Sequence, residues 1–161
     1  MNDRLMPAGA LLDSLHGELS AMQSFLGLLE AEQAALAAGD ADKVVAGLPG
    51  KSGQLAQLAA YASQRSGLLN SLRLPEGGDG VERLFSGQPD AIALAEKWRE
   101  LMTVTRRAWR VNQENGALIA CRLHANVQAL SALNQFTGRC QLYGREGQAV
   151  NAWGGRMLGA A

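Results

Sequence analysis

The chain has 161 residues, 15 Lys+Arg balanced by 15 Asp+Glu, 47% hydrophobic residues and 5% aromatics. The length suits one domain, the apolar fraction excludes intrinsic disorder, and the neutral balance argues against a sequence-independent nucleic-acid binder, which needs surplus Lys and Arg to displace phosphate counterions. No apolar run approaches the roughly 18–20 residues of a membrane span, and residues 1–10 lack the continuous apolar stretch of a signal peptide.

The first predicted helix covers about 9–38. Leu12, Leu15, Leu19, Met22, Leu26, Leu29, Gln33 and Leu36 recur at spacings of three and four, the seam of a coiled-coil-like helix. Gly39 reads as its stop and Asp40 as the N-cap of the next helix, so the two should be antiparallel neighbours. The second helix covers about 41–72, with Val44, Leu48, Lys51, Leu55, Leu58, Ala62, Arg65, Leu69 and Leu72 on one stripe. Pro49 within it removes a hydrogen bond and crowds the preceding turn, so a kink or restart is expected there. Folding the hairpin about Gly39 and Asp40 brings Lys51 towards Glu30, and Arg65 towards Leu15 and Glu18. Both cations read as structural, salt-bridged side chains lying along an apolar stripe.

Residues 74–89 break the periodicity with Gly and Pro, and read as a loop or a short helix around VERLF. The long helix at about 90–140 carries the clearest pattern. One seam runs through Trp98, Met102, Thr105, Trp109, Asn112, Gly116, Ile119, Leu123, Asn126, Leu130, Leu133, Thr137 and Cys140. A second runs beside it through Leu101, Val104, Ala108, Val111, Asn115 and Leu118, then Arg122, Ala125, Ala129, Ala132 and Phe136. Two seams require more than one neighbour. This helix outlasts the hairpin arms, so apolar surface should remain uncovered along its later part, the mark of an interaction site. Asn112, Asn115 and Gly116 read as register-fixing or close-approach residues. The segment 142–161 reads as a flexible tail with scattered Tyr143, Trp153 and Met157. The expected fold is all-α: a coiled-coil-like antiparallel hairpin packed on one long third helix, an elongated three- to four-helix bundle in a single domain spanning 1–161.

Catalytic constellations are missing from the pattern. His16 and His124 lie on different helices without metal-ligand partners, and no HExxH, CxxC, GxxxxGK[ST] or GxSxG occurs. Neither a cofactor nor a metal is expected, and the chain does not read as an enzyme. Cys121 and Cys140 stand nineteen residues apart on one predicted helix, beyond disulfide reach, and read as small packing residues. Residues 1–80 carry 5 basic and 9 acidic side chains, whereas 81–161 carry 10 and 6, giving net charges of −4 and +4. The simplest account is two helical faces attracting each other within one fold; the alternative is a basic half that meets an acidic partner. Arg106, Arg107 and Arg110, beside Trp109, read as a solvated helix face.

The segment WRELMTVTRRAWRVNQENGALIACRLHANVQALSAL, residues 98–133, resembles the third helix of the FlgN family of flagellar export chaperones. Its most specific part is the W..L…N..NG.LI pattern, here Trp98, Leu101, Asn112, Asn115, Gly116, Leu118 and Ile119. LYGREGQ at 142–148 is similar to the Leu-Tyr-Gly-x-x-Gly element that follows that helix in the family, and the hairpin agrees in layout. Pro49 departs from the continuous second helix of the family pattern.

The resemblance implies a cytoplasmic, all-helical, non-enzymatic chaperone. Such proteins bind the C-terminal amphipathic segments of hook-associated proteins 1 and 3, the hook–filament junction proteins. They keep these clients unpolymerised and bring them to the cytoplasmic platform of the type III export gate. By resemblance, Tyr143 helps docking at that platform. An amphipathic client helix needs an apolar stripe to pack on, and Leu118, Ile119, Leu123, Val127, Leu130, Leu133 and Phe136 offer one; the same residues could instead pack against the protein's own helices. The competing function is a structural coiled-coil protein or self-associating adaptor, and a homodimer without client would suit either reading.

Overall fold

The computed structural model describes residues 8–86, 88 and 90–140. It contains α1 (Ala8–Ala38), α2 (Ala41–Ser71), α3 (Gly78–Ser86) and α4 (Ala91–Cys140), with no strand among the described residues. The protein is all-α and its helices pack against one another. By backbone proximity it divides into two compact units, the first ending at Ile119 and the second beginning at Ala120.

The α1–α2 hairpin is fixed by its turn. The Asp40 N–H donates to the Ala35 carbonyl at 2.9 Å and the Gly39 N–H to Leu36 at 3.2 Å, the paired bonds of a Schellman ending. Gly39 supplies the positive φ of 78° that this ending needs. Asp40 then caps α2, its carboxylate accepting from the Lys43 backbone N–H at 3.1 Å. That bond is the main cause holding its carboxyl below the usual range, with the Lys43 side chain adding to it. The cap therefore contributes stability above the unfolded-state value, and the contribution is lost as pH falls through the folded-state value. Asp40→Asn should leave the melting temperature at neutral pH nearly unchanged, since Asn also caps, and should flatten the acid limb of a melting-temperature-against-pH series.

α2 stays helical through Pro49 and does not restart there. It ends in a second Schellman-type turn, with Leu74 N–H donating to Leu69 at 2.9 Å and Arg73 N–H to Asn70 at 3.1 Å. The left-handed position is taken by Arg73, φ 56°, where a side chain is disfavoured. Arg73→Gly should raise stability by about 0.5–1 kcal/mol, read as a rise in denaturant midpoint at constant m-value.

The segment after α2 is more ordered than its glycines suggest. α3 buries Val81, Leu84 and Phe85 against Leu11, Leu15 and Leu19 of α1, Leu69 of α2, and Leu94, Trp98 and Leu101 of α4. Gly80 is buried so close to Pro75 that an added Cβ would lie 1.8 Å from the Pro75 carbonyl oxygen. The absence of a side chain at Gly80 is what lets α3 seat under the preceding turn. Further along the first unit, Phe25, Leu26 and Leu29 of α1 pack on Ala108 and Val111 of α4, with Leu58 of α2 at the margin.

Of the two seams read along α4, the one through Leu101, Val104, Ala108, Val111 and Asn115 faces the core of the first unit. The neighbouring seam turns outward after Met102 and Thr105, leaving Trp109, Asn112, Gly116 and Ile119 exposed. The reason is geometric: α1 and α2 lie on one side of α4, so residues about a third of a turn away from Ala108 and Val111 have no helix to cover them. Cys121, read as a packing residue, is exposed.

Candidate functional site

The polar residues singled out in sequence sort into two groups. Lys51, Arg65 and Asn115 lie in interhelical contacts. The Arg65 guanidinium pairs with the buried Glu18 carboxylate on α1 and stacks over the Trp98 ring, 5.2 Å from its centroid. One cation thereby joins α1, α2 and α4, satisfied by a carboxylate on one side and an aromatic face on the other. Lys51 pairs with Glu32 at 2.8 Å rather than with Glu30, one helical half-turn from the expected partner; Glu30 instead takes Arg107 at 2.6 Å. Asn115 is 1% exposed. Its amide N–H groups donate to the Leu29 carbonyl at 2.9 Å and to Glu32 at 2.8 Å. Lys51, Glu32 and Asn115 thus form one network across three helices. Both acceptors require the nitrogen of Asn115 to point at them, which fixes the amide orientation.

Asn112 and Gly116 have no such role. Asn112 is exposed and does not set register between buried faces. Gly116 is exposed, and a Cβ there would meet nothing within 4 Å, so close helix approach does not account for it. Both lie on the outward seam.

The residues read as a binding stripe divide at the boundary of the two units. In the first, Leu118 is half-buried and Ile119 is exposed. In the second, Leu123 (64%), Val127, Leu130, Leu133 and Phe136 (70%) are all exposed. Within that unit Val127 and Leu130 line a shallow depression whose rim is Ser131, Asn134 and Gln135. The positions do not form one narrow seam. At 100° per residue they wind from the Leu123–Val127 side round to Phe136, a broad apolar surface with a polar rim. Such a surface can accept another helix by side-chain packing. Among the described residues no three His, Cys, Asp or Glu side chains are grouped to hold a metal ion, and no helix is long and apolar enough to cross a membrane. Tyr143 and the tail at 142–161 lie outside the described residues.

Sequence reasoning missed two features of the first unit: that Trp109, placed on an apolar seam, is exposed, and that Phe25, beside the α1 seam, is buried with Leu26 against α4. A wider buried face on α1 could have found the second, since Phe25 stands next to Leu26 on that seam.

The FlgN protein family pattern matches residues 6–151. The chain is 31% identical over 146 residues to the flagella synthesis protein FlgN of Proteus mirabilis, covering 86% of this chain and 89% of that one. It is 29% identical over 143 residues to the protein of the same name from Yersinia enterocolitica, covering 88% and 90%. A crystal structure described as that of a flagella synthesis protein FlgN from Pseudomonas aeruginosa superposes with a TM-score of 0.66 at 21% identity, covering 71% of this chain and 90% of that one. At that identity the likeness speaks for the fold.

Proposed function

The chain belongs to the FlgN family, and from that premise we propose that it is a cytoplasmic flagellar export chaperone without enzymatic activity. Its clients are hook-associated proteins 1 and 3, bound through their C-terminal amphipathic helices. The observation that carries this reading is the exposed apolar surface of the second unit, from Leu123 to Phe136. A chain that keeps Leu123, Val127, Leu130, Leu133 and Phe136 in water gains from covering them with a second amphipathic helix. That covering also hides the client's own polymerising face. Leu118 borders the surface, and Tyr143, in the segment that follows α4, is the docking residue for the cytoplasmic platform of the export gate. Without client, the same surface supports a homodimer.

Calorimetric titration of the full chain with C-terminal segments of hook-associated proteins 1 and 3 from the same organism tests the proposal. The expected result is saturable one-to-one binding with a negative heat-capacity change, the signature of apolar burial. Absence of binding to segments and full-length subunits alike, together with concentration-dependent self-association, would favour the structural adaptor instead.

A further inference from the structure

The first unit presents an exposed aromatic side chain, separate from the residues assigned to the client. Trp109 is 66% exposed. It lines a shallow depression with Leu26 and Val104, bordered by Arg106, Arg107 and Arg110. The three arginines are not equivalent. Arg107 is matched by Glu30 on α1. Arg106 gives a hydrogen bond to the Thr103 hydroxyl at 3.2 Å. Neither Arg106 nor Arg110 pairs with a carboxylate among the described residues.

We infer that this surface docks an acidic amphipathic segment of a partner protein, with an apolar side chain set against Trp109 and carboxylates received by Arg106 and Arg110. Three observations fix the chemistry of the occupant. The floor of the depression is aliphatic and aromatic, which asks for an apolar side chain. The two unmatched guanidinium groups flank it with a fork geometry suited to carboxylates. Trp and Arg side by side are also the residue types that dominate interface energetics. A nucleic acid fits less well: two unmatched cations on a chain of zero net charge give little counterion release, and Leu26 and Val104 offer a base edge no hydrogen bond. The inference stands on these residues alone and does not depend on the client-binding reading of residues 118–136.

The test uses the full chain labelled with nitrogen-15, following the indole N–H signals of its tryptophans, with Trp109 assigned from a Trp109→Phe variant. The probe is a synthetic amphipathic helical peptide with Leu on one face and Glu on the other. Its counterpart carries Lys at every Glu position, and a single-stranded oligonucleotide serves as a third probe. The acidic peptide should shift the Trp109 signal saturably and leave that of the buried Trp98 in place. Its affinity should fall about ten-fold in Arg106→Gln/Arg110→Gln, and further in Arg106→Glu/Arg110→Glu. The Lys peptide should bind at least about ten-fold more weakly than the acidic one. Leu130→Gln/Leu133→Gln should leave the Trp109 response unchanged. The inference is overturned by an unmoved Trp109 signal, by equal binding of the two peptides, by an oligonucleotide that outcompetes the acidic peptide, or by a response that disappears with the Leu130 and Leu133 substitutions.

Discussion

Replacing Leu130 and Leu133 together by Gln should weaken binding of hook-associated C-terminal segments by about 10²- to 10³-fold and shift the melting temperature by less than about 2 °C. Both leucines are exposed in the second unit, so removing them takes no apolar contact from a buried core. Gln is nearly as good a helix former as Leu, so the helix itself loses little. A client helix that buries both would lose roughly 3–4 kcal/mol of apolar transfer energy, which sets the expected loss of affinity. Calorimetry and a thermal melt on the same preparation separate the possibilities. A large fall in melting temperature would make these leucines part of the protein's own packing. Unchanged affinity would move the client elsewhere on the molecule.

The largest expected effect on stability comes from Asn115→Asp. The Asn115 side chain is buried and donates to two acceptors, the Leu29 carbonyl and the Glu32 carboxylate. A carboxylate in its place removes both donors and sets a second negative group against Glu32. Burying a charge in that position costs about 3–5 kcal/mol, a fall of roughly 10–15 °C for a chain of this size. Asn115→Leu puts an apolar side chain of similar length in its place and leaves two acceptors short of one donor each, so it should cost about 1–3 kcal/mol. The ordering of the two variants tells repulsion from simple loss of hydrogen bonds. Combining Asn115→Asp with Glu32→Gln should recover part of the loss, because Gln can donate to the new carboxylate; purely additive losses would place the cost in packing instead.

Much of this architecture was legible in the sequence, because helical periodicity and turn chemistry are local signals. The Gly39–Asp40 turn, the α1 seam and the extent of α4 each follow from a few neighbouring residues. Register across helices is less local. Lys51 falls near both Glu30 and Glu32 on a folded hairpin, and the choice of Glu32 depends on Asn115 arriving from α4 to share the carboxylate while Arg107 takes Glu30. Sequence alone likewise offers two parallel apolar seams on α4, and only the direction of approach of α1 and α2 decides that Ala108 and Val111 are inside and Trp109 outside. Around VERLF the sequence leaves a loop and a short helix open, and the structure has the short helix. Flanked by Gly and Pro, the segment looks like a connection, yet its apolar residues are spaced to face the core in one nine-residue helix, α3. The stripe of Leu123, Val127, Leu130, Leu133 and Phe136 was visible from spacing, but its exposure depends on which neighbours exist.

The way α2 is attached to its partners differs along its length. Leu69, near its end, is its buried residue, whereas Val45, Leu48 and Leu55 are exposed. The first half carries Gly47, Pro49, Gly50 and Gly53, so it combines weak helix formers with a missing backbone hydrogen bond. The Lys51–Glu32 pair ties it to α1. The hairpin is therefore a zipper of graded strength, with its core-anchored end closed and its turn-proximal end able to breathe at a fraction of the global unfolding free energy. Amide protons between about residues 44 and 57 should accordingly exchange with solvent well before those of the helices around Leu69, as native-state hydrogen exchange would read.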